Sequence, residues 1–308
     1  TNLAKIKVVG VGGSGLNAVS RMAKCNIKGI ELIAVNTDTQ DLAKAKADVK
    51  IRIGVKVTQG LGAGMDPETG RKSALENRQE IAGALKGSDI IFITCGMGGG
   101  TGSGAAPIVA EAAKETGALT LAVVTKPFFF EGLAREKIAE NGIKRLKEKV
   151  DTVIIISNNK LLSTLDPNIS LVNAFWVCDD ILRQAVQGIS DLILLPGIIN
   201  VDFADVKAIM GNAGSALFGV GRARGEGRAE KAAMAAISSP LLDISPKGAK
   251  GVLFNVSGGK DISLSEIDEV AKVINREVNS DAKIIFGAVQ DEKLKKGEIK
   301  VTVIATGF

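Results

Sequence analysis

The 308-residue sequence contains no histidine and no tyrosine, one tryptophan and three cysteines. Without histidine it lacks the commonest general base, every Ser-His or Cys-His nucleophile arrangement and most kinds of zinc site. Cys25, Cys95 and Cys178 are odd in number and far apart, which is typical of reduced thiols and not of a disulfide framework. Any catalysis must therefore rest on carboxylates, backbone amides or a bound cation.

Long apolar segments are missing too. No apolar run approaches the roughly 20 residues needed to span a bilayer, and the first ten residues lack the pattern of a signal peptide. We therefore expect a cytoplasmic protein without direct membrane insertion. A plastid stroma stays open as an alternative, because a targeting segment that has been removed leaves no trace in the sequence.

The formal net charge of +5 raises nucleic acid as a partner, because a basic surface attracts phosphate. The denser basic runs, at 144–149 and 291–300, nevertheless mix both signs, and aromatic residues make up only 4% of the chain. A platform for stacking bases is poorly supplied. The sequence predicts no nucleic-acid partner.

Short β-branched segments alternate with helical segments in the first half of the chain. Strands are predicted at 6–11, 29–37, 89–96, 119–127 and 152–159, with helices between them at 105–117 and 135–150. Near-continuous apolar strands separated by helices predict an α/β fold with a Rossmann-like parallel sheet. Ligands of such sheets bind outside the carboxyl ends of the strands.

The second half begins with one long predicted helix at 171–197, which Pro196 and Gly197 would stop. After a loop and a further helical stretch come strands at 251–259, 282–290 and 299–308, with a helix at 263–278. We expect a long central helix followed by a second, smaller α/β domain.

Two glycine-rich motifs lie at predicted strand ends. The first, GVGGSG at 10–15, satisfies G-x-G-x-x-G and is followed by Asp38 at the distance of a dinucleotide-binding unit. Taken alone it favours an NAD-binding oxidoreductase.

The second motif, GGGTGSG at 98–104, contains no charged residue. Its glycines would let successive amides face a phosphate, and a helix predicted to start near Ala105 would direct its positive end there. No Gly-Lys-Ser/Thr follows either motif, which excludes a Walker A loop. Lysine is not needed if hydrated Mg²⁺ shares the phosphate charge.

Several further motifs occur in one order along the chain. They are VNTD (35–38), GLGAG (60–64), GGGTGSG (98–104), PFFFEG (127–132), NVDFADVK (200–207), AISSPLL (236–242) and VIATGF (303–308). Through them the chain, from about Ile6 to Phe308, resembles the FtsZ family, the cell-division GTPases of the tubulin superfamily. The resemblance implies a GTP-binding domain (1–170), a central helix (171–197), a catalytic loop with its following helix (198–212) and a C-terminal α/β domain (213–308).

The resemblance also implies a GTP/GDP site, with Mg²⁺ accompanying the nucleotide and no metal ligand from the protein. The phosphates would be held by Gly12, Gly13, Asn17, Gly98, Gly99, Gly100, Thr101 and Gly102. Ala63 and Gly64 would sense the γ-phosphate, while Glu131 and Arg135 would contact ribose and phosphates. Guanine would be held by Asn158, Phe175 and Asp179, and the last two, four apart, share a helix face.

By the same resemblance, Asn200, Asp202 and Asp205 carry the chemistry. Two acids three apart could orient a water or bind a cation near a phosphate. If the helix runs from Phe175 to about Leu195, its 20 residues span about 30 Å, so we expect these acids to act on the nucleotide of the next subunit in a head-to-tail homopolymer. Alternatively, they form an N-cap and a solvated first turn of a helix starting near Phe203.

Partners other than a second copy are expected to be division proteins and membrane anchors, bound through a tail that these 308 residues do not contain. The chain departs from the family pattern at Ser14, Leu16, Asn159 and Trp176. Three functions stay open: a polymerising GTPase, an NAD-binding oxidoreductase, and a scaffold that assembles with nucleotide without hydrolysing it.

Overall fold

The computed structural model describes residues 4–25, 27, 29–195, 197–239, 246–291 and 294–308. The chain forms two compact units, Thr1–Gln187 and Gly188–Phe308, and the boundary falls within one long helix. Among the described residues, no helix combines the length and apolar character that crossing a membrane requires.

The first unit is an α/β layer structure in which strands and helices alternate. Its elements are β1 (Ile6–Val11), α1 (Gly12–Lys24), β2 (Ile30–Asn36), α2 (Thr39–Lys44), β3 (Val49–Arg52), α3 (Pro67–Glu76), α4 (Arg78–Leu85), β4 (Ile90–Gly96), α5 (Gly100–Glu115), β5 (Leu119–Lys126), a 3₁₀ turn (Phe129–Glu131), α6 (Leu133–Lys147), β6 (Thr152–Ser157), α7 (Asn158–Leu162) and the start of α8 (Leu171–Leu194). Its six strands are parallel, in the order β3-β2-β1-β4-β5-β6. The predicted Rossmann-like sheet is confirmed.

Side chains alternate between the two faces of this sheet, as the two-residue period of a strand requires. In β2, Ile33 and Val35 belong to a large buried cluster that includes side chains of α4, α5 and α6, whereas Ala34 packs with Leu16 and Leu42 from α1 and α2. Both faces are therefore covered by helices, which explains the nearly continuous apolar strands.

The structure corrects the predicted start of the helix in the second glycine motif. Helix α5 begins at Gly100, not near Ala105, so most of GGGTGSG is helical. These glycines permit close packing: a Cβ on Gly104 would overlap the carbonyl oxygen of Pro67 in α3, and one on Gly100 would lie 2.8 Å from the amide nitrogen of Asp66. Glycine-rich sequence is typical of a loop, whereas in this structure the glycines let α5 approach α3.

The second unit contains the end of α8 and a mixed sheet. Its other elements are α9 (Phe203–Met210), β7 (Gly214–Arg224), α10 (Arg228–Ile237), a 3₁₀ turn (Pro246–Gly248), β8 (Gly251–Gly258), α11 (Leu264–Glu277), β9 (Lys283–Gln290) and β10 (Glu298–Thr306). The strand order is β7-β10-β8-β9; β10 is antiparallel to β7 and β8, and β8 is parallel to β9. The predicted second α/β domain is confirmed.

One strand of this sheet, β7, is not predicted from the sequence. Its Gly219 and Gly221 lie where the carbonyl oxygens of Ala236 and Ala232 in α10 approach, and a Cβ at either position would overlap them. Because α10 packs so closely, these positions of β7 require glycine. The β-branched residues that usually indicate a strand are therefore absent there. Pro196, predicted to stop the central helix, and residues 240–242 of AISSPLL lie outside the described residues.

Candidate functional site

A cavity of about 370 Å³ opens at the carboxyl ends of β1, β4 and β5, where the sequence predicts a ligand. Its lining is Val11, Gly12, Gly13, Ser14, Asn17, Gly96, Met97, Gly99, Gly100, Thr101, Gly102, Thr125, Pro127, Glu131, Arg135, Asn158, Phe175, Cys178 and Asp179, all from the first unit. Twelve of the fifteen residues predicted to hold nucleotide are thus brought together. The exceptions are Ala63, Gly64 and Gly98.

The three exceptions lie in other surroundings. The amide of Gly98 donates to the hydroxyl of Ser103 at 2.9 Å. Ala63 is buried, and its methyl group lies 2.9 Å from the position a Cβ on Gly100 would take. Gly64, at φ +57°, is in a left-handed conformation that favours glycine.

One end of the cavity is formed by two helix N-termini. The backbone hydrogen bond from the Ser103 amide to the carbonyl oxygen of Gly99, at 3.2 Å, starts the helical pattern of α5. The amides of Gly100, Thr101 and Gly102 precede that pattern, and helix α1 begins in the same way at Gly12. Both helices therefore direct free amides and the positive ends of their dipoles at the cavity.

These two N-termini differ from the others. Among the described α-helices, only α1 and α5 have neither a side chain capping the first turn nor an acid within it. The other helices have Asp38, Asp66, Glu80, Glu136, Ser157, Ser170, Asp202, Glu230 or Ser263 in one of these roles. The cavity thus collects the helix ends whose donors an external anion could satisfy.

Glycine conformation and a hydroxyl pair fix this end of the cavity. Gly12 has φ +72°, and a Cβ there would lie 3.1 Å from the amide nitrogen of Gly102. The hydroxyls of Thr37 and Thr101 share a buried 2.7 Å hydrogen bond, which orients Thr101 in the first turn of α5. The first turns of α1 and α5 therefore lie close together, and Thr101 is tied to the loop that follows β2.

The other end of the cavity is formed by side chains. Asn158 is buried, and its side-chain oxygen has no hydrogen-bond partner among the described residues. Phe175 packs edge-on against Phe128, with ring centroids 5.3 Å apart. An orphaned buried oxygen beside an aromatic face and a carboxylate fits a flat ligand that carries hydrogen-bond donors.

Asp179 supplies that carboxylate. Burial raises its pKa to about 6, while the charge of Arg21 and a hydrogen bond from Ser14 act in the opposite direction. The guanidinium Nη2 of Arg21 lies 3.4 Å from the carboxylate Oδ2. The group is thus largely ionised at neutral pH, and its ion pair with Arg21 is long, which suits an acceptor for a ligand.

Glu131 and Arg135 lie at the mouth of the cavity. Glu131 accepts a hydrogen bond from the Phe128 amide at 3.0 Å and from the Arg135 guanidinium at 2.9 Å. The pair is one helical turn apart and fixes the 3₁₀ turn that follows β5. Asn159, a departure from the family pattern, accepts from the Phe129 amide at 2.8 Å and anchors the same turn.

Sequence reasoning assigned no role to Ser14, Thr125 or Cys178, which also line the cavity. Cys178 follows Phe175 by three residues on α8, so helical spacing could have found it. Burial raises the pKa of its thiol to about 12, which makes it a poor nucleophile. Ser14 was recognised only as a departure from the family pattern.

The predicted catalytic residues belong to the second unit. Asn200 accepts from the Gly197 amide at 2.7 Å, and Asp202 caps α9 by accepting from the Ala204 amide at 3.4 Å. Asp205 is half-buried in the first turn of α9. The capping arrangement considered as an alternative for Asp202 is therefore present.

The structure also bears on two other kinds of ligand, a dinucleotide and a metal ion held by protein side chains. Asp38, the acid of the dinucleotide-binding pattern, accepts through Oδ1 from the amides of Gln40 and Asp41 at 2.8 and 3.1 Å, so one of its carboxylate oxygens caps α2. Within the described ranges, no three Asp, Glu or Cys side chains are grouped to hold a metal ion.

Comparison with known proteins identifies the family. Residues 5–166 match the model of the Tubulin/FtsZ family GTPase domain, and residues 214–308 match that of the FtsZ family C-terminal domain. An empty FtsZ dimer and a tryptophan-to-tyrosine FtsZ mutant, both from M. jannaschii, are each 48% identical over 99% of this chain, with TM-scores of 0.95; 88% and 91% of those chains are covered.

A more distant structure shares the fold. A GTPγS-bound protofilament of CetZ2 from Haloferax volcanii superposes with a TM-score of 0.86 at 21% identity, over 98% of this chain and 92% of that one. The oxidoreductase interpretation is not favoured, because the family models cover both glycine motifs and the C-terminal sheet. The chain belongs to the Tubulin/FtsZ family of GTPases.

Proposed function

We propose that this GTPase binds GTP in the 370 Å³ cavity, assembles head to tail into filaments of the division ring, and hydrolyses GTP with residues of the adjacent subunit. The observation that carries this proposal is the convergence of two uncapped helix N-termini on a cavity whose other end carries Asn158 and Asp179. An anion and a donor-rich base would each meet complementary groups there.

The phosphate end uses the main chain. The amides of the first turns of α1 and α5 donate to phosphate oxygens; the residues are Gly12, Gly13, Gly99, Gly100, Thr101 and Gly102, with the side chain of Asn17 beside them. Gly98 precedes this group in the chain and would also hold the phosphates, and Ala63 and Gly64 would meet the γ-phosphate. Mg²⁺ bound with the nucleotide would neutralise part of the phosphate charge.

The base end uses side chains. Asp179 accepts from N1–H and the exocyclic amino group of guanine, and Asn158 hydrogen-bonds the base through the side-chain oxygen that no other described residue satisfies. Phe175 packs on the ring, while Glu131 and Arg135 contact ribose and phosphate. Adenine offers no N1–H donor, so the buried carboxylate selects against it.

Hydrolysis depends on the carboxylates of NVDFADVK. Asp205, with Asn200 and Asp202 beside it, orients the attacking water against the γ-phosphate of the neighbouring subunit. The M. jannaschii relative forms a dimer, which supports self-association of this chain. A heterologous contact of this kind repeats into a filament.

In functional terms, we divide the chain into a GTP-binding domain (1–170), the central helix (171–197), the catalytic loop and its helix (198–212) and the C-terminal domain (213–308). Division proteins and membrane anchors would bind the filament at the division site. The non-hydrolysing scaffold stays a second candidate, because Asn200 and Asp202 already have capping and turn-forming contacts.

The decisive measurement is phosphate release from GTP over a range of protein concentrations, with light scattering recorded in the same sample. A shared site predicts that activity per molecule rises at the concentration where scattering appears. Constant activity per molecule at every dilution would contradict the placement of the acid loop in a neighbouring site. Scattering without phosphate release would favour the scaffold.

Mixing two inactive variants sharpens this test. Asp205→Ala keeps the cavity intact, and Gly102→Ala keeps the acid loop intact. If each site is shared, the mixture recovers part of the activity. In an equal mixture with random order along the filament, about a quarter of the interfaces combine an intact cavity with an intact acid loop. Asp268→Ala removes a surface acid on α11 that pairs with Lys272, and serves as the control. No recovery, with both variants incorporated in filaments, would argue for a site within one chain.

A further inference from the structure

Trp176, the single tryptophan of the chain, lies beside the cavity without lining it. Its side chain is 49% exposed, and the guanidinium carbon of Arg21 lies 4.9 Å from the centroid of its ring. That distance is within the range of a cation–π interaction. The ring therefore contacts the same arginine that approaches Asp179.

Arg21, on helix α1, contacts two side chains of helix α8, Trp176 and Asp179. Its Nη2 lies 3.4 Å from Asp179, and its Nε is buried without a hydrogen-bond partner among the described residues. Because the ion pair is long, it does not by itself fix the guanidinium. The ring of Trp176, in contact with the guanidinium, adds a second restraint on the arginine.

Helix α8 places these groups by its periodicity. Phe175 and Asp179, four residues apart, line the cavity, whereas Trp176 and Asp179, three apart, both contact Arg21. Asp179 thus belongs to both sets. Because Arg21 and Trp176 do not line the cavity, a guanidinium held against the ring pairs with Asp179 without entering the cavity lining.

We propose that Trp176 and Arg21 form a clamp that positions the Asp179 carboxylate for recognition of the guanine base. Both are positioning residues, since neither Trp176 nor Arg21 lines the cavity. This inference rests on the proposed function, because it assigns guanine to the base end of the cavity.

The Arg21 side of the clamp also bears on the protonation of Asp179. The side chains that affect the pKa of Asp179 are Arg21 and Ser14, both from α1. Its neighbours on its own helix are Cys178 and Asp180. Arg21 opposes the rise in the pKa of Asp179 that burial causes. If the ring no longer holds Arg21, the carboxylate takes up a proton at higher pH and loses its ability to accept from N1–H.

The test is calorimetric titration with GDP, which avoids hydrolysis, between pH 5.5 and 8. Trp176→Leu removes the aromatic face and keeps apolar bulk; we expect affinity to fall about two- to fivefold at pH 7.5. Arg21→Gln should weaken binding about tenfold and move the acidic limb of the profile up by about one pH unit. Trp176→Phe should restore binding to within about twofold, because it retains a ring.

Leu171→Ala, on the same helix and exposed, is the matched control. Titration of the diphosphate is common to all variants and cancels in the comparison. If Trp176→Leu matches the wild type at every pH, the clamp is wrong even though GDP binds. If the wild type binds GDP no better than ADP, the assignment of guanine itself fails.

Tryptophan fluorescence reports on the contact between Arg21 and Trp176 in the absence of nucleotide. With only one tryptophan, acrylamide quenching reports on this ring alone. Arg21→Gln should raise the quenching constant, and Arg21→Lys should do so less, because an ammonium retains a weaker contact with the ring. Unchanged quenching in both variants would overturn the proposal whatever their affinity for GDP.

Discussion

The two ends of the cavity are built from different materials. The phosphate end consists of backbone amides at two uncapped helix N-termini, with glycines that let α1 and α5 approach each other. The base end consists of buried side chains, above all Asn158 and Asp179. The first depends on main-chain conformation and is insensitive to pH, whereas the second depends on an ionised carboxylate. Mutations and pH should therefore separate them.

Adding a methyl group at the phosphate end should have the largest effect. In Gly102→Ala the new Cβ would lie 2.6 Å from the carbonyl oxygen of Gly96, so main chain must move. We expect affinity for GDP to fall at least about a hundredfold and unfolding free energy to fall by about 1–3 kcal/mol. Calorimetry and thermal melts measure these changes.

The control for that variant is Gly83→Ala in α4, where a Cβ would meet nothing within 4 Å. This change should stabilise the helix by about 0.5–1 kcal/mol and leave GDP binding unaltered. Wild-type affinity in Gly102→Ala would mean that the start of α5 does not form the phosphate site.

At the base end, Asp179→Asn should have the next largest effect. The amide keeps the shape of the carboxylate but offers one oxygen instead of two and carries no charge. We expect GDP affinity to fall about 10- to 100-fold, the range for loss of a charge-assisted hydrogen bond. Selectivity for GDP over ADP should fall with it. Unchanged selectivity would remove Asp179 from base recognition.

Acidification should affect the base end more moderately. Because the folded-state pKa of Asp179 is raised to about 6, lowering the pH through 6 protonates the acceptor, and its contribution to affinity should fall up to about tenfold per pH unit. This component should be absent in Asp179→Asn. A wild-type profile that parallels that of the variant between pH 5 and 7 would contradict the assignment.

The same pKa predicts an effect on stability with the opposite sign from most carboxylates. The folded protein binds the proton more tightly than the unfolded chain, whose Asp179 has a pKa near 3.8. The destabilisation caused by the buried charge is fully present above about pH 6 and is relieved as pH falls through that value. Without nucleotide, the wild-type protein should therefore gain melting temperature through this group when the pH is lowered from 7 to 5. The Asp179→Asn variant should not show that gain.

The two ends also differed in how far the sequence predicted them. Both glycine motifs, their positions after strands and the parallel sheet follow from local patterns. The start of α5 at Gly100 could not be predicted from a local pattern, because glycines that allow close helix packing resemble loop residues in sequence. The residues of the base end were predicted from the family resemblance, and the only local support was the four-residue spacing of Phe175 and Asp179.

The other features that the sequence did not predict depend on contacts between residues far apart in the chain. Arg21 and Asp179 are 158 positions apart, and no local pattern joins them. Strand β7 was missed for a related reason, since its glycines are explained by the carbonyl groups of α10. Local periodicity predicts elements, while pairings between elements become visible only once they are packed.

The smallest expected effect tests whether the phosphate end is recognised through amides alone. A Cβ on Gly99 would meet nothing within 4 Å, and the backbone there is extended, at φ −92° and ψ 163°. Gly99→Ala keeps the amide and adds a methyl group without strain, so GDP affinity should change less than about threefold. Gly12→Ala, at φ +72°, is the contrasting variant and should weaken binding far more. Equal losses in the two variants would mean that the bound nucleotide fills the space beside Gly99, and that this end is selected by shape as well as by amide donors.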